Sequence, residues 1–446
     1  MSLAVVLATL SITTPIQEAG DAALKSMIDA APLGSVVALP AGVFRGPLLV
    51  DRAVTIDGGA GTTIDSHGSG DCVVITAEGA VVRGVHACGS GLGMDRESAG
   101  ISVRSARVTV EHCKVDACLF GISVANAGET IVRGNEIVGA DLAIARRGDA
   151  IKIFQSDNVV IESNRIRDSR DLVVWFSEGA IVRDNEVINS RYGLHFMYSR
   201  GAVVEDNRLE DNSVGVFLMY SQDLTLRKNF VRGCRGPSGY ALGLKDMDRA
   251  TVTGNVFIAN RVGVFLDNSP QEVGVWNSIE GNLFAWNDIG VLSQPSVKRN
   301  TIAGNAFVEN RQQVSVNSAG SLAGNEFVRD GRGNHWSDYA GYDIDGDGIG
   351  ESDHAPREAF ARLVDRQPLL RILAYSPAES AIDFAARAVP VFAPEPAFVD
   401  PSPLLLPPQV SVRASTLPSG NAMAFVAASL ITVAVALLAP ALKGVS

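Results

Sequence analysis

The chain has 446 residues and a formal net charge of −11, with 46% hydrophobic residues and 44 glycines. That acidic balance argues against a nucleic-acid partner, whose phosphates demand a basic surface. The length would hold two or three ordinary domains, but a repeat array can use it as one body.

Met1 to Leu10 is apolar with no Lys or Arg ahead of it, so residues 1–14 read as a degenerate signal-like segment. Ile16 to Ala31 spaces its apolar residues for a helix that ends at Leu33-Gly34. It is expected to cap the open edge of the stack that follows. SVVALPAGVF and AVTIDGG read as first strands, and irregular coils run to about residue 100 with a glycine-rich excursion at Gly89 to Gly100.

From Ile101 to Asp330 a period holds. Asn135, Asn164, Asn185, Asn207, Asn229, Asn255, Asn282, Asn305 and Asn325 recur at intervals of 20 to 29 residues, each two positions before an apolar residue. Short β-type runs at that spacing predict an all-β solenoid of parallel strands, about twelve coils and about 55 to 60 Å long. The asparagines are expected to stack in a turn, bonding to the backbone of the next coil. Cys113 falls in an asparagine slot, and a buried free thiol is expected there. With Cys72, Cys88, Cys118 and Cys234 it makes an odd count that leaves disulfides open.

Counting back from the asparagines gives the register. Ile151, Leu172, Leu194, Val216 and Leu242 form one apolar column, and Ile153, Val174, Phe196, Leu218 and Leu244 another. Both are expected to face inward. The columns between them must face out: Lys152, Val173, His195, Phe217 and Gly243, then Phe154, Trp175, Met197, Met219 and Lys245. An outward stripe of Phe, Trp and Met marks an interaction site, unless a loop or the C-terminal arm covers it. His195, Met197 and Met219 sit close enough on that face to share a soft ion such as Cu(I), with Met94 and Met247 as possible supplements.

Residues 331–385 read as a C-terminal cap with an acidic loop. Asp343, Asp345 and Asp347 match the opening of a calcium loop, but His354 replaces the glutamate at its twelfth position. Glu351 or Asp353 could substitute, and a turn held by Asx hydrogen bonds is the equal alternative. His335 and His354 flank this loop as weaker ligand candidates. Residues 386–421 read as a proline-rich arm or linker, and the apolar run 422–442 as a transmembrane helix that holds the protein at the membrane. The acids outside the stripe alternate with arginines as on a solvated face, and no nucleophile motif or phosphate loop is visible, so no enzymatic role is expected.

RYGLHFMYS at 191–199, VGVFLMYS at 214–221, YALGLKD at 240–246 and GNHWSDYAGYDIDGDGIG at 333–350 resemble the NosD family, periplasmic β-helix proteins of nitrous oxide reductase maturation. The tail from LVDRQPLL to FVDPSPLL resembles that family's C-terminal arm, and the resemblance spans roughly residues 15 to 410. It implies a right-handed parallel β-helix outside the cytoplasmic membrane, docked on the membrane and ATPase subunits of an ABC transporter. It also implies service in assembling the copper-sulfide centre, with a membrane-bound copper chaperone as donor. The LHFMY and LMY motifs fall on His195, Met197 and Met219, as transient Cu(I) ligands. Phe154, Trp175, Phe217 and Lys245 would then meet partners. A carbohydrate-active or carbohydrate-binding β-helix at the cell surface is the alternative, and a calcium-braced structural protein a third.

Overall fold

The computed structural model describes residues 21–59, 61–357, 359–374, 376–389 and 394–410. The expected signal-like segment and the apolar run 422–442 lie outside the described residues. Among the described residues no helix is long and apolar enough to cross a membrane.

Strands of two to six residues wind into three parallel sheets of 12, 13 and 12 strands, opening with Val36–Ala38, Gly42–Arg45 and Leu48–Val50. Each strand pairs with the one three places along, so a coil gives one strand to each sheet. The result is the parallel β-helix expected from the asparagine period. The short strands alternate in and out, and their inward residues form one continuous core. Both columns assigned inward are buried at 0 or 1% exposure, and the outward ones pair in the expected order: Phe154 to Trp175, Trp175 to Met197, Met197 to Met219, Met219 to Lys245.

The turns are bound by asparagine ladders. Asn207 N–H donates to Asn229 Oδ1 at 3.1 Å, and Asn229 Nδ2 donates back to Val204 O and forward to Asn255 Oδ1, each at 2.9 Å. Buried backbone groups that water cannot reach are thereby satisfied. The ladder runs from Asn135 to Asn305 and ends on Asn334. Asn325 is a correction: it stacks below Asn300 in a separate ladder with Asn277. Its spacing of 20 residues from Asn305 mimics the period without sharing the slot. Cys113 heads the first ladder, its N–H donating to Asn135 Oδ1 at 2.9 Å. Burial pushes its thiol up to about 12. All five cysteines are free, and Cys72 Sγ lies 3.9 Å from Cys118 Sγ in the core.

Helix Ala22–Ala30 packs Leu24 and Ile28 on the first coil, and Asp21 caps it by accepting from Ala23 N and Leu24 N. At the other end a buried Asp400 accepts from Asn334 N and Trp336 Nε1, both at 2.8 Å. Phe398 packs on Phe327 and Trp336. This part of the proline-rich segment is therefore seated on the last coil, where a free linker or a partner-bound arm was expected. Helix Ala359–Arg366 lies against the last strand of the third sheet, with Asp365 accepting from Ser315 Oγ at 2.5 Å.

Candidate metal centre and docking face

The stripe lies on the outer face of the third sheet, on strands Ile151–Phe154, Asp171–Trp175, Tyr192–Met197, Val214–Met219 and Tyr240–Lys245. Asp171 pairs with Tyr192, but Val173 pairs with His195, so the later strand carries one extra residue between them. Such a bulge re-aims the side chain that follows it. Here it brings His195 Nδ1 to 3.2 Å from Asp171 Oδ2. Asp171 also accepts from Arg191 Nε at 2.9 Å and from Arg191 Nη2.

Burial works to raise the Asp171 carboxyl, but the bonds from His195 and Arg191 outweigh it and hold the group below the usual range. An ionised carboxylate only accepts, so His195 donates through Nδ1, and the neutral ring in that tautomer carries its lone pair on Nε2. That Nε2 is buried and has no hydrogen-bond partner among the described residues. A carboxylate behind one ring nitrogen and an unsatisfied second nitrogen are the arrangement of a metal-binding imidazole. Met197 follows two positions along the same face, about 6 to 7 Å between Cα atoms, and Met219 sits beside it on the next coil.

The two outward columns differ in cover. Val173, His195 and Phe217 are buried, at 5, 9 and 9% exposure, closed in by Tyr192 and by each other. Phe154, Trp175, Met197 and Met219 are half-buried. The stripe is thus neither open nor sealed, and the hydrogen bonds of the C-terminal segment go to the last coils instead. Lys245 is ion-paired with Asp267 at 2.8 Å, which raises its pKa. Met247 is in the core at 0% exposure and cannot supplement the site, while Met94 is exposed on the early excursion.

Sequence reasoning missed two sets of residues. Asp171 and Arg191 are one; Asp149 and Arg170, bonded at 2.8 Å one coil earlier, repeat the pattern and were its legible signal. The other is an aromatic ladder nine positions before successive asparagines. Phe176, Tyr198 and Tyr220 each take a left-handed φ near +50°, stand 37 to 46% exposed, and stack at 4.9 and 5.1 Å. Trp175 stacks on Phe176 at 5.5 Å, which joins this ladder to the stripe.

At the acidic loop the structure groups Asp343 and Asp345 with Glu351 and leaves Asp347 out. Asp343 accepts from Gly346 N and Gly348 N, and Asp347 turns to Ile349 N, which are Asx-turn bonds. His354 is buried against Trp336, at 5.0 Å between rings. His335 Nδ1 lies 3.1 Å from Leu404 O.

A family model described as "Periplasmic copper-binding protein (NosD)" matches residues 134–341, which contain the stripe. Another, "Right handed beta helix region", matches residues 53–180. The chain is 32% identical over 387 residues to a Stutzerimonas stutzeri protein named "Probable ABC transporter binding protein NosD", covering 82% of this chain and 86% of that one. This chain belongs to the NosD family. A Pseudomonas aeruginosa relative of the same name is 32% identical over 394 residues, covering 84% and 89%. Both NosD relatives carry the name of a probable ABC transporter binding protein, which names no catalytic activity. Among solved structures, the A-module of the Azotobacter vinelandii mannuronan C-5 epimerase AlgE4 is similar at TM-score 0.47 and 14% identity, over 69% of this chain and 94% of that one. A DFA-IIIase from Arthrobacter chlorophenolicus A6 follows at 0.43 and 16%, over 66% and 92%. Likeness at those values carries no argument about this NosD-family chain.

Proposed function

We propose that this chain is a non-enzymatic periplasmic accessory protein that works with an ABC transporter in assembling the copper-sulfide centre of nitrous oxide reductase. It receives Cu(I) transiently at His195, Met197 and Met219 from a copper chaperone, and its half-buried aromatic face docks the chaperone or the enzyme. The observation that carries this reading is the buried His195 Nε2 left without a partner behind an Asp171-held ring, beside two methionines. Imidazole and thioether together suit a soft monovalent ion. ATP chemistry belongs to the transporter's own subunits, and attachment to the membrane through residues 422–442 is part of the same proposal.

The carbohydrate alternative gains nothing from the aromatic ladder. Its rings stack face to face on one another, whereas sugar binding uses open ring faces. Glu205 and Glu162, two acids of the outer faces, are paired with Arg227 and Arg183 at 2.6 Å. A structural calcium ion is proposed for Asp343, Asp345 and Glu351; a fall in melting temperature with chelator, reversed by Ca2+, supports it, and no change removes it.

The test is made in cells that lack this chain but produce nitrous oxide reductase. The enzyme should emerge without copper and sulfide at that centre, and expression of the wild-type chain should restore both. The His195→Ala/Met197→Ala/Met219→Ala variant should not restore them although it is present at normal level. Full restoration by that variant removes the stripe from the copper route.

A further inference from the structure

The outer face of the second sheet carries another cluster, three coils from the N-terminal end and remote from the stripe. Strands Thr62–Asp65, His86–Cys88 and Lys114–Cys118 lie side by side there. Their register sets Thr63, His86 and Lys114 in one row and Asp65, Cys88 and Asp116 in the next. The residues between, Ile64, Ala87 and Val115, are wholly buried, so both rows face outward. Cys88 is also the one cysteine of the five that is not buried.

An imidazole nitrogen of His86, Cys88 Sγ and a carboxylate oxygen of Asp116 all fall within 4.8 Å of one another. Three ligands at about 2.0 to 2.3 Å from one ion stand somewhat closer together than this, so a small contraction completes the set. His86 Nε2 is buried and lies 3.0 Å from Asp116 Oδ2. The imidazole and the carboxylate therefore already converge on the same side of the sheet as Cys88 Sγ. The other ring nitrogen, Nδ1, lies 3.3 Å from Thr63 Oγ1, which fixes the ring plane.

We propose that His86, Cys88 and Asp116 form a Zn2+ site that ties two adjacent coils together. A thiolate, an imidazole and a carboxylate are the mixed donor set of a borderline ion, and three protein ligands leave a fourth position for water. Hard cations disfavour the thiolate, and a soft Cu(I) ion has less use for the carboxylate. Binding replaces the Cys88 S–H proton by Zn2+, releasing one proton to solvent without any redox change. Lys114 Nζ, 3.1 Å from Asp116 Oδ2, holds the carboxylate in the metal-free protein and must swing aside.

The full chain, stripped with chelator under reducing conditions, is titrated with Co2+ and then with Zn2+. One equivalent of Co2+ should give tetrahedral visible bands and a near-ultraviolet thiolate charge-transfer band, all bleached by one equivalent of Zn2+. Cys88→Ser should lose the charge-transfer band, and His86→Gln should weaken Co2+ affinity at least about tenfold, with circular dichroism unchanged. The His195→Ala/Met197→Ala/Met219→Ala variant should behave as wild type here, which separates this site from the copper stripe. No thiolate band in the wild type, or a band that survives in Cys88→Ser, overturns the assignment, as does binding of Cu(I) alone.

Discussion

Asp171 Oδ2 and His195 Nδ1 meet at 3.2 Å across a one-residue bulge, and that contact decides which nitrogen of the histidine is free for a metal. Asp171→Asn can still bond the ring but no longer demands that Nδ1 be the donor. We expect Cu(I) affinity to fall about 10- to 100-fold, the usual effect of losing a carboxylate behind a ligating imidazole. Competition with a chromophoric Cu(I) chelator measures it, and an unchanged affinity would detach Asp171 from the site.

The same contact predicts a pH dependence. The folded pKa of Asp171 lies below its unfolded value of about 3.9, so its contribution to stability is complete above that value. It disappears as pH falls through the folded pKa. The stability gap between wild type and Asp171→Asn, read by urea unfolding, should therefore be full at pH 7 and shrink progressively as pH falls below about 3.9. A gap that is constant across this range would show that the carboxylate's charge contributes nothing.

Removing one rung from the asparagine ladder should be costly. Asn229→Ala strips partners from Asn207 N, Val204 O and Arg227 O at once, all in or beside the core. At about 1 to 3 kcal/mol for each buried group left unsatisfied, a loss of at least about 3 kcal/mol is expected. Equilibrium unfolding in urea checks it.

The C-terminal closure depends on one carboxylate. Asp400→Ala leaves Asn334 N–H and Trp336 Nε1–H without their acceptor in a buried place. We expect a loss of about 2 to 5 kcal/mol and a red-shifted Trp336 emission as the segment lifts from the last coil. Emission at the wild-type wavelength would mean that stacking with Phe398 holds the segment unaided.

Docking and metal binding should separate by mutation. A Tyr198→Ser/Tyr220→Ser variant removes exposed rings that do not touch His195, so Cu(I) affinity should stay within about twofold. Binding to the purified copper chaperone or to nitrous oxide reductase should fall at least about tenfold, as at an aromatic-centred interface. Calorimetry with each partner gives the answer.

The coil register was legible because burial on one face forces a period of two along each strand and a fixed offset from the buried asparagines. Ile151, Leu172, Leu194, Val216 and Leu242 obey it, and a wrong register would expose them all. The bulge before His195 was not legible, since an inserted residue changes no composition and shows only in pairing. Asp171 therefore looked like one more polar strand end. The Lys245 ion pair was hidden for a related reason: its partner Asp267 lies 22 residues away and becomes a neighbour only across the stack. The fate of residues 397–405 was equally hidden, because proline-rich composition predicts extension but not what the extended chain rests upon.

Cu(I) titration of the full chain under reducing conditions tests the central claim most directly. It compares Cys88→Ser protein with the same protein also carrying His195→Ala/Met197→Ala/Met219→Ala, against a competing chelator and with fold checked by circular dichroism. The stripe predicts one Cu(I) per chain in the first protein and none in the second. Equal binding by both, or by neither, would contradict it and leave the aromatic face as a docking surface alone.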